Sequence, residues 1–261
     1  MKIIENWFLV LGSINLILFV VGLLLFMPKK IFKITLSEYY QIFTSHLKYL
    51  LIILGVVAFH LIEVNILDSY FTNLIGIDFT STIQIIEDGV VYWFSQNWTP
   101  VLVYFFVLMY IAVYPFALWF SPLYFLLTDD KKAMKTLAYG LLLLYAIALP
   151  FYLFLPVTNV YTFYGIESAL ETVVPNVEHF FYSTTTYNNC LPSLHVAMTL
   201  LIAKSVSITK NKRYTYFAYF CAVSVILSVI YLAVHWITDV VCGIILAFSV
   251  FYLLKRFVKG E

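Results

Sequence analysis

The sequence predicts an all-α fold, a polytopic membrane bundle of about seven transmembrane helices. Hydrophobic residues occupy 63% of the 261 positions and charged residues 11%, whereas a soluble domain carries about 25% charged residues. Each of seven apolar runs has about the 17–25 residues that a helix needs to cross the hydrocarbon core. These runs lie near residues 7–27, 49–67, 100–127, 134–156, 193–209, 214–232 and 237–254. Because no internal repeat or linker divides them, residues 1–261 are expected to form one domain.

Individual runs carry further signals about the helices that they form. The first follows a single cation and has no small-residue cleavage site after it, so it is predicted to be a retained helix and not a signal peptide. Pro115 and Pro122 are expected to kink the third helix. The last two runs share one apolar stretch from Tyr214 to Leu254. As a single helix this stretch would be about 60 Å long, twice a bilayer core, so the chain must turn within it, near His235.

The positions of Lys and Arg predict how the bundle is oriented. All but one of the 15 cations lie in the first, third and fifth connections, at the adjoining helix ends, or after the last helix. The second and fourth connections, residues 68–99 and 157–192, contain none. Since cations near helix ends stay cytoplasmic, the N-terminus is predicted to be outside and the C-terminus inside. The net charge of +1 and this membrane-flanking pattern exclude a nucleic-acid partner.

The two long outer connections carry different patterns. In the first, apolar residues recur at helical spacing beside aromatic anchors and predict an interfacial amphipathic helix, although a cover without chemistry fits as well. These residues are Ile83, Ile86, Val90 and Phe94, with Trp93 and Trp98. In the second, the polar run 183–189 could line a headgroup site or be a solvated loop. Cys190 is predicted to be a free thiol on the outer face, because Cys221 and Cys242 fall within spans.

Two short polar segments in the apolar second half carry the candidate chemistry. These polar islands are residues 192–195 and 235–239. Ionisable groups at membrane depth are costly and usually functional. Pro192 suits the first turn of a helix, which places Ser193 and His195 beside unpaired N–H groups that favour a bound anion such as phosphate. His235 and Asp239 are spaced i, i+4, so the carboxylate can accept the imidazole N–H and fix its tautomer. Together the two histidines provide a nucleophile and an acid.

These islands resemble two signatures of the type 2 phosphatidic acid phosphatase superfamily. One signature is Pro-Ser-Gly-His, and the other is Ser-Arg followed by five residues, His, three residues and Asp. Leu194 stands in place of the glycine, and Ser228-Val229 begins the other signature with valine in place of arginine. A further signature of that superfamily, in which a lysine is followed after six residues by Arg-Pro, is absent from this sequence. The segments Leu155-Pro156-Val157 and His235-Trp236-Ile237-Thr238-Asp239 look more like the inositol phosphorylceramide synthase branch, which transfers phosphorylated headgroups between lipids.

The resemblance implies a reaction and roles for residues between 157 and 254. His235 would attack phosphorus to form a phosphohistidine, Asp239 would orient it, and His195 would protonate the leaving oxygen. No metal and no other cofactor takes part in that scheme. The matched positions Ser193, Leu194 and Ser228 are the candidate substrate-binding residues.

The implied function is that of a phospholipid-metabolising enzyme, a phosphatase or phosphotransferase for a lipid-linked phosphate, at the extracytoplasmic face of the cell membrane or the lumenal face of an internal one. Headgroup transfer to an alcohol is slightly favoured over hydrolysis, because missing arginines suit a singly charged diester better than a dianionic monoester. The alternatives are a lipid phosphate monoester phosphatase, a lipid-binding member without turnover, and a proton-coupled transporter or channel. His60 and Glu63, i, i+3 in the second span, could be a proton relay, metal ligands or a simple hydrogen-bonded pair.

Overall fold

A computed structural model describes residues 7–258, most of which are helical. The helices, in chain order, are α1 Trp7–Phe26, α2 Leu36–Ile62, α3 Asp68–Ile75, α4 Thr80–Glu87, α5 Val90–Gln96, α6 Pro100–Leu108, α7 Tyr114–Leu127, α8 Lys131–Phe154, α9 Val160–Tyr164, α10 Ala169–Val173, α11 Val177–Phe181, α12 Leu194–Ile208, α13 Lys212–Tyr231 and α14 Ile237–Val258. Residues 7–258 contain no β-strand, and one isolated bridge pairs Val157 with Asn189. The all-α prediction is confirmed.

Six helical stretches within residues 7–258 are long and apolar enough to cross a membrane. They are Phe8–Phe26, Leu36–Ile75, Pro100–Leu127, Lys131–Phe154, Lys212–Tyr231 and Ile237–Arg256. The remaining predicted span, the fifth in chain order, is α12, which has 15 residues and is about 22 Å long, less than the roughly 30 Å of the hydrocarbon core. Irregular backbone at membrane depth is tolerated only where protein or a water-filled cavity surrounds it. The segment before α12 meets this condition, since Pro192 and Ser193 are buried.

The second span begins much earlier than the predicted residue 49. Its polar first turns lower the hydropathy, but Thr35 and Glu38 form a capping box in which each side chain accepts a hydrogen bond from the other residue's backbone N–H. A π-turn over Glu63–Leu67 joins α2 to α3, so this helical stretch continues to Ile75. The Thr-x-x-Glu signal for the start was present in the sequence.

The third span contains a π-turn, Met109–Val113, just before Pro115. Local π-turns are one way in which membrane helices accommodate the N–H that proline lacks. This π-turn lies between α6 and α7 and brings two tyrosines, Tyr110 and Tyr114, to the same buried region. Pro122 lies inside α7.

Helix α12 lies at the centre of the bundle and contacts α8, α13 and α14. Two glycines permit its closest approaches. A Cβ at Gly140 on α8 would lie 2.4 Å from a methyl of Leu201, and a Cβ at Gly243 on α14 would lie 2.5 Å from the carbonyl oxygen of Ser193. The second contact presses α14 against the N-terminus of α12 and so joins the two polar islands.

The interfacial helix predicted across the first outer connection is broken into α4 and α5. Asp88 and Gly89 adopt left-handed conformations, with φ of 47° and 75°, and Asp-Gly is a strong turn signal. Ile83 is buried, but Ile86 is 70% exposed. The prediction of one continuous helix with a single apolar face is therefore wrong.

The connections fall into two groups at opposite ends of the bundle. Among the cation-rich ones, Asn211 donates hydrogen bonds to the carbonyl oxygen of Phe26 and the hydroxyl of Tyr124, at 2.7 and 3.1 Å. Between the cation-free ones, Thr158 donates to Asp78 Oδ2 at 2.7 Å. This grouping agrees with the alternation of cations along the sequence. Which end faces the cytoplasm stays a prediction.

Candidate active site

The two polar islands, 40 residues apart in sequence, meet at one pair of histidines. His195 Nδ1 lies 3.3 Å from His235 Nε2. The backbone N–H of Ser193 donates to the carbonyl oxygen of Asp239 at 3.0 Å, which ties the starts of α12 and α14 together. Helix α12 begins at Leu194, after the predicted Pro192, because the hydroxyl of Ser193 accepts the N–H of Val196 and caps the helix.

His235 is held in a tight turn between α13 and α14. The backbone N–H groups of Val234 and His235 both donate to the carbonyl oxygen of Val229, at 3.0 and 2.9 Å. Ala233, in the same turn, has a φ of 57°, which is uncommon for a residue with a side chain. The helix α14 then begins at Ile237. The predicted turn near His235 is confirmed.

The carboxylate of Asp239 fixes the imidazole of His235. Its Oδ2 accepts His235 Nδ1 at 3.3 Å and the backbone N–H of Trp236 at 2.9 Å. A neutral imidazole with its proton on Nδ1 keeps a lone pair on Nε2, and that nitrogen points toward His195. The i, i+4 spacing therefore brings the two side chains into contact as predicted.

A tyrosine that the sequence analysis did not identify completes this chain of groups. The hydroxyl of Tyr110 lies 3.1 Å from His195 Nε2. If His235 Nε2 is an acceptor, His195 donates from Nδ1 and accepts the Tyr110 hydroxyl at Nε2. The resulting order is Tyr110 O–H to His195, His195 to His235, and His235 to Asp239. Tyr110 lies in the π-turn of the third span, and no motif marked it.

Burial keeps His235 uncharged. The residue is 3% exposed, and burial lowers its pKa from 6.5 to about 3, although a hydrogen bond to the Cys190 backbone opposes the shift. The imidazole is therefore neutral at neutral pH, with the Nε2 lone pair available. His195, in front of it, is partly exposed.

A second residue that the sequence analysis did not identify, Glu87, caps helix α14. Its carboxylate, at the end of α4, accepts the backbone N–H groups of Ile237 and Thr238 at 3.0 and 2.6 Å. These donors start the helix that carries Asp239. A carboxylate at a helix N-terminus is favourable because it satisfies unpaired donors and complements the helix dipole. The contact joins residues 150 apart, and no local pattern indicates it.

Aromatic side chains surround His195. Its ring centroid lies 4.9 Å from that of Tyr110, 5.4 Å from Tyr114 and 6.3 Å from Phe181. The connections 68–99 and 157–192, which lie at this end of the bundle, contain no Lys or Arg. The site therefore offers a phosphate hydrogen-bonding groups and histidine protons without a fixed cation from these connections.

The predicted substrate-binding residues are all buried. Ser193 caps α12 next to His195, and Leu194 packs in the hydrophobic core. The hydroxyl of Ser228 donates to the carbonyl oxygen of Ser224 at 2.6 Å. Ser193 is thus the one that the structure places beside the histidines, and the substrate-binding roles stay predictions.

His60 and Glu63 lie close together, but His60 Nδ1 has no hydrogen-bond partner within the described residues, so the predicted hydrogen-bonded pair is not formed. His60 Nδ1 lies 3.5 Å from Glu63 Oε2. The buried carboxylate accepts hydrogen bonds from the Tyr145 hydroxyl at 3.0 Å and the Asn189 amide at 2.7 Å, and His60 Nε2 contacts the carbonyl oxygen of Thr184 at 3.0 Å. These contacts tether the polar run 183–189 to α2, so that run is not a freely solvated loop.

Cys190 is a free thiol, as predicted, but it is not accessible from outside. Its side chain is 4% exposed, because the chain folds back here and the Cys190 N–H donates to the carbonyl oxygen of Val157 at 3.2 Å. Burial also raises the pKa of the thiol well above its usual range. Cys221 and Cys242 lie in the helices α13 and α14, as expected.

The fold and the site together define a class, a helical membrane bundle with two facing histidines, one paired with an aspartate, at one end. Residues 83–253 match the family model of the PAP2 superfamily. This range covers more than half of the chain and includes both polar islands, and the chain belongs to the PAP2 superfamily. The resemblance to the type 2 phosphatidic acid phosphatase superfamily is thereby confirmed.

A relative with a similar segment is an uncharacterized protein of Methanocaldococcus jannaschii. The two are 30% identical over 103 residues, which cover 38% of this chain and 41% of that protein. The chain thus matches about two fifths of the length of this curated relative. No solved structure matches the chain.

Proposed function

We propose that the protein is an integral-membrane lipid phosphatase or phosphotransferase that works through a phosphohistidine on His235. The observation that carries this proposal is the pair of facing nitrogens, His195 Nδ1 and His235 Nε2, with the second histidine oriented by Asp239. Membership of the PAP2 superfamily supports a lipid phosphate as substrate. Catalysis is assigned to one domain, with the reacting groups between residues 157 and 254.

The proposed reaction has two steps. In the first, His195 acts as the imidazolium, protonated on both ring nitrogens: His235 Nε2 attacks phosphorus, the bond from phosphorus to the leaving oxygen breaks, and that oxygen takes the proton from His195 Nδ1, which leaves His195 neutral. In the second, water or an alcohol gives its proton to His195 and attacks phosphorus, and the bond to His235 breaks. Asp239 retains its hydrogen bond to His235 Nδ1–H throughout and stabilises the positive charge that develops on the ring.

The two histidines must separate before phosphorus can enter. Reacting atoms in a near-attack geometry lie about 3–3.5 Å apart, and a hydrogen bond to the leaving oxygen needs a further 2.7 Å or so. With the length of the bond from phosphorus to the leaving oxygen added, the two ring nitrogens have to be about 7 Å apart in line with phosphorus, whereas they lie 3.3 Å apart without substrate. The partly exposed His195 is the ring with room to move.

Charge favours transfer of a phosphodiester headgroup over hydrolysis of a monoester. A monoester carries about −1.5 to −2 charge near pH 7, and its transition state is normally stabilised by cations. The outer connections contain none, and Val229 stands where the Ser-Arg signature has its arginine. We therefore favour a phospholipid donor and an alcohol acceptor, as in the inositol phosphorylceramide synthase branch, with a monoester phosphatase as the alternative. The distribution of cations supports an extracytoplasmic site.

A comparison of two substrates tests this proposal. Purified protein in lipid nanodiscs is given a lipid phosphate monoester or a phospholipid diester, each with and without a polyol or lipid alcohol. We expect acceptor-dependent transfer from the diester, absent in His235→Ala. Rapid release of inorganic phosphate from the monoester, regardless of acceptor, would favour the phosphatase. Normal turnover by His235→Ala would overturn the mechanism. Val229→Arg should shift the preference toward the monoester.

A further inference from the structure

The thiol of Cys190 lies against the proposed nucleophile and its carboxylate, and the mechanism does not use it. One ligand atom each from Cys190, His235 and Asp239 lie within 4.8 Å of one another. All three side chains are buried, with exposed fractions of 4%, 3% and 0%. Among the residues that the structure describes, this is the group of His, Cys, Asp and Glu side chains with the spacing to hold a metal ion.

Two of these ligand atoms have bonding capacity to spare. Asp239 Oδ1 is buried and has no hydrogen-bond partner within the described part of the chain, although a buried carboxylate oxygen normally finds one. The contacts of Cys190 Sγ are long, 3.7 Å to the carbonyl oxygen of Tyr187 and 3.9 Å to that of Val234. An ion could therefore bind here without displacing a strong hydrogen bond of the sulfur.

The donor set selects the kind of ion. Sulfur, imidazole nitrogen and carboxylate oxygen are the ligands of Zn²⁺, whereas Ca²⁺ and Mg²⁺ prefer oxygen. Ligands about 2.0–2.3 Å from a tetrahedral ion lie roughly 3.3–3.8 Å from one another. His235 Nδ1 and Asp239 Oδ2 already lie 3.3 Å apart. The ligand atoms, which lie within 4.8 Å of one another, have to approach by about 1 Å on binding.

We propose that Cys190, His235 and Asp239 bind Zn²⁺ or another thiophilic divalent cation, and that this ion inhibits the enzyme. Cys190 binds as the thiolate and releases its proton to solvent, whereas His235 binds as neutral imidazole through Nδ1, so that its proton moves from Nδ1 to Nε2. Nε2 then carries a hydrogen and has no lone pair with which to attack phosphorus. Inhibition rests on the proposed function, whereas metal binding does not.

The test measures binding and turnover separately, on full-length protein freed of metal with a chelator. Cd²⁺ is added as a spectroscopic probe, because a cadmium–thiolate bond gives an ultraviolet charge-transfer absorption. We expect this band in the wild type and in Cys242→Ser, the matched control in α14, and its loss in Cys190→Ser. Turnover with Zn²⁺ divided by turnover without it should rise at least tenfold in Cys190→Ser, but not in Cys242→Ser.

Three results would overturn the proposal. The first is the absence of a cadmium–thiolate band in the wild type, a measurement that does not depend on whether Cys190→Ser folds. The second is equal zinc sensitivity of the wild type and Cys190→Ser. The third is loss of turnover on chelation with recovery on Zn²⁺, which would make the ion catalytic and also contradict the phosphohistidine mechanism. A protein that binds Cd²⁺ at Cys190 but turns over no lipid would contradict the proposed function and leave the metal site.

Discussion

Replacing Glu87 with alanine should loosen the start of α14 and impair catalysis without touching substrate. The variant removes the acceptor of two backbone N–H groups, those of Ile237 and Thr238. A hydrogen bond to a charged group contributes about 1.5–3 kcal/mol, an N-cap about 1 kcal/mol, and a charge at the helix dipole up to about 2 kcal/mol. These figures overlap, and Glu87 is only partly buried, so about 2 kcal/mol is our expectation for the whole loss.

The same figure bounds the loss of activity. A difference of 1.36 kcal/mol in the barrier is tenfold in rate, so full transmission of about 2 kcal/mol to the orientation of Asp239 and His235 would lower kcat roughly 30-fold. KM should change little, because Glu87 accepts hydrogen bonds from the backbone of α14 and makes none with the two histidines. The assay is steady-state headgroup transfer by purified protein, with the melting temperature measured in the same detergent.

Two further variants separate orientation from general stability. Glu87→Gln keeps one acceptor oxygen and should lose less activity than Glu87→Ala. Asp88→Asn changes the exposed acid next in sequence and should leave kcat and the melting temperature unchanged, since asparagine tolerates the left-handed conformation of Asp88. A Glu87→Ala variant with wild-type kcat would refute the reasoning, even if its melting temperature fell.

Three other expectations follow from the site and the topology. Asp239→Asn should lower kcat by roughly 10⁴-fold, as the equivalent change does in a serine-protease triad, and a loss of less than tenfold would remove its orienting role. His235 should make the protein less stable in acid, because the unfolded chain binds a proton on this residue near pH 6.5 but the folded chain only near pH 3. The melting temperature should therefore fall from pH 7 to pH 5, and His235→Asn should lessen that fall. An impermeant thiol reagent on intact cells should label Glu167→Cys but not Lys210→Cys, both exposed positions; the reverse would invert the orientation.

Hydropathy and spacing predicted the spans and the two motifs because both are local properties of the chain. The i, i+4 spacing of His235 and Asp239 dictates their contact on one turn of backbone. The meeting of His195 with His235 was also foreseeable, since both histidines lie at helix ends on the same predicted side. Hydropathy alone did not predict the early start of α2, because its first turns are polar. The capping box of Thr35 and Glu38 was the sequence signal for that start.

The residues that the sequence did not identify are those whose partners are distant in the chain. Glu87 reaches α14 across 150 residues, and Tyr110 reaches His195 across 85. Neither lies in a motif, and both contacts depend on how the outer connections and the π-turn pack. Cys190 was expected on the outer face, but tertiary packing buries it against His235. Native Cys190 is therefore unsuitable as a topology label, and the introduced cysteines replace it.

Capture of the phosphorylated enzyme distinguishes a phosphohistidine mechanism from one without a covalent intermediate. Purified protein is mixed with a lipid donor labelled with ³²P in its phosphate and quenched in alkali, in which phosphohistidine is stable. We expect label that is released by acid, located on His235 by mass spectrometry, and absent from His235→Ala. Label on another residue, or full turnover by the wild type with no trapped label and no burst of leaving group, would contradict the phosphohistidine mechanism.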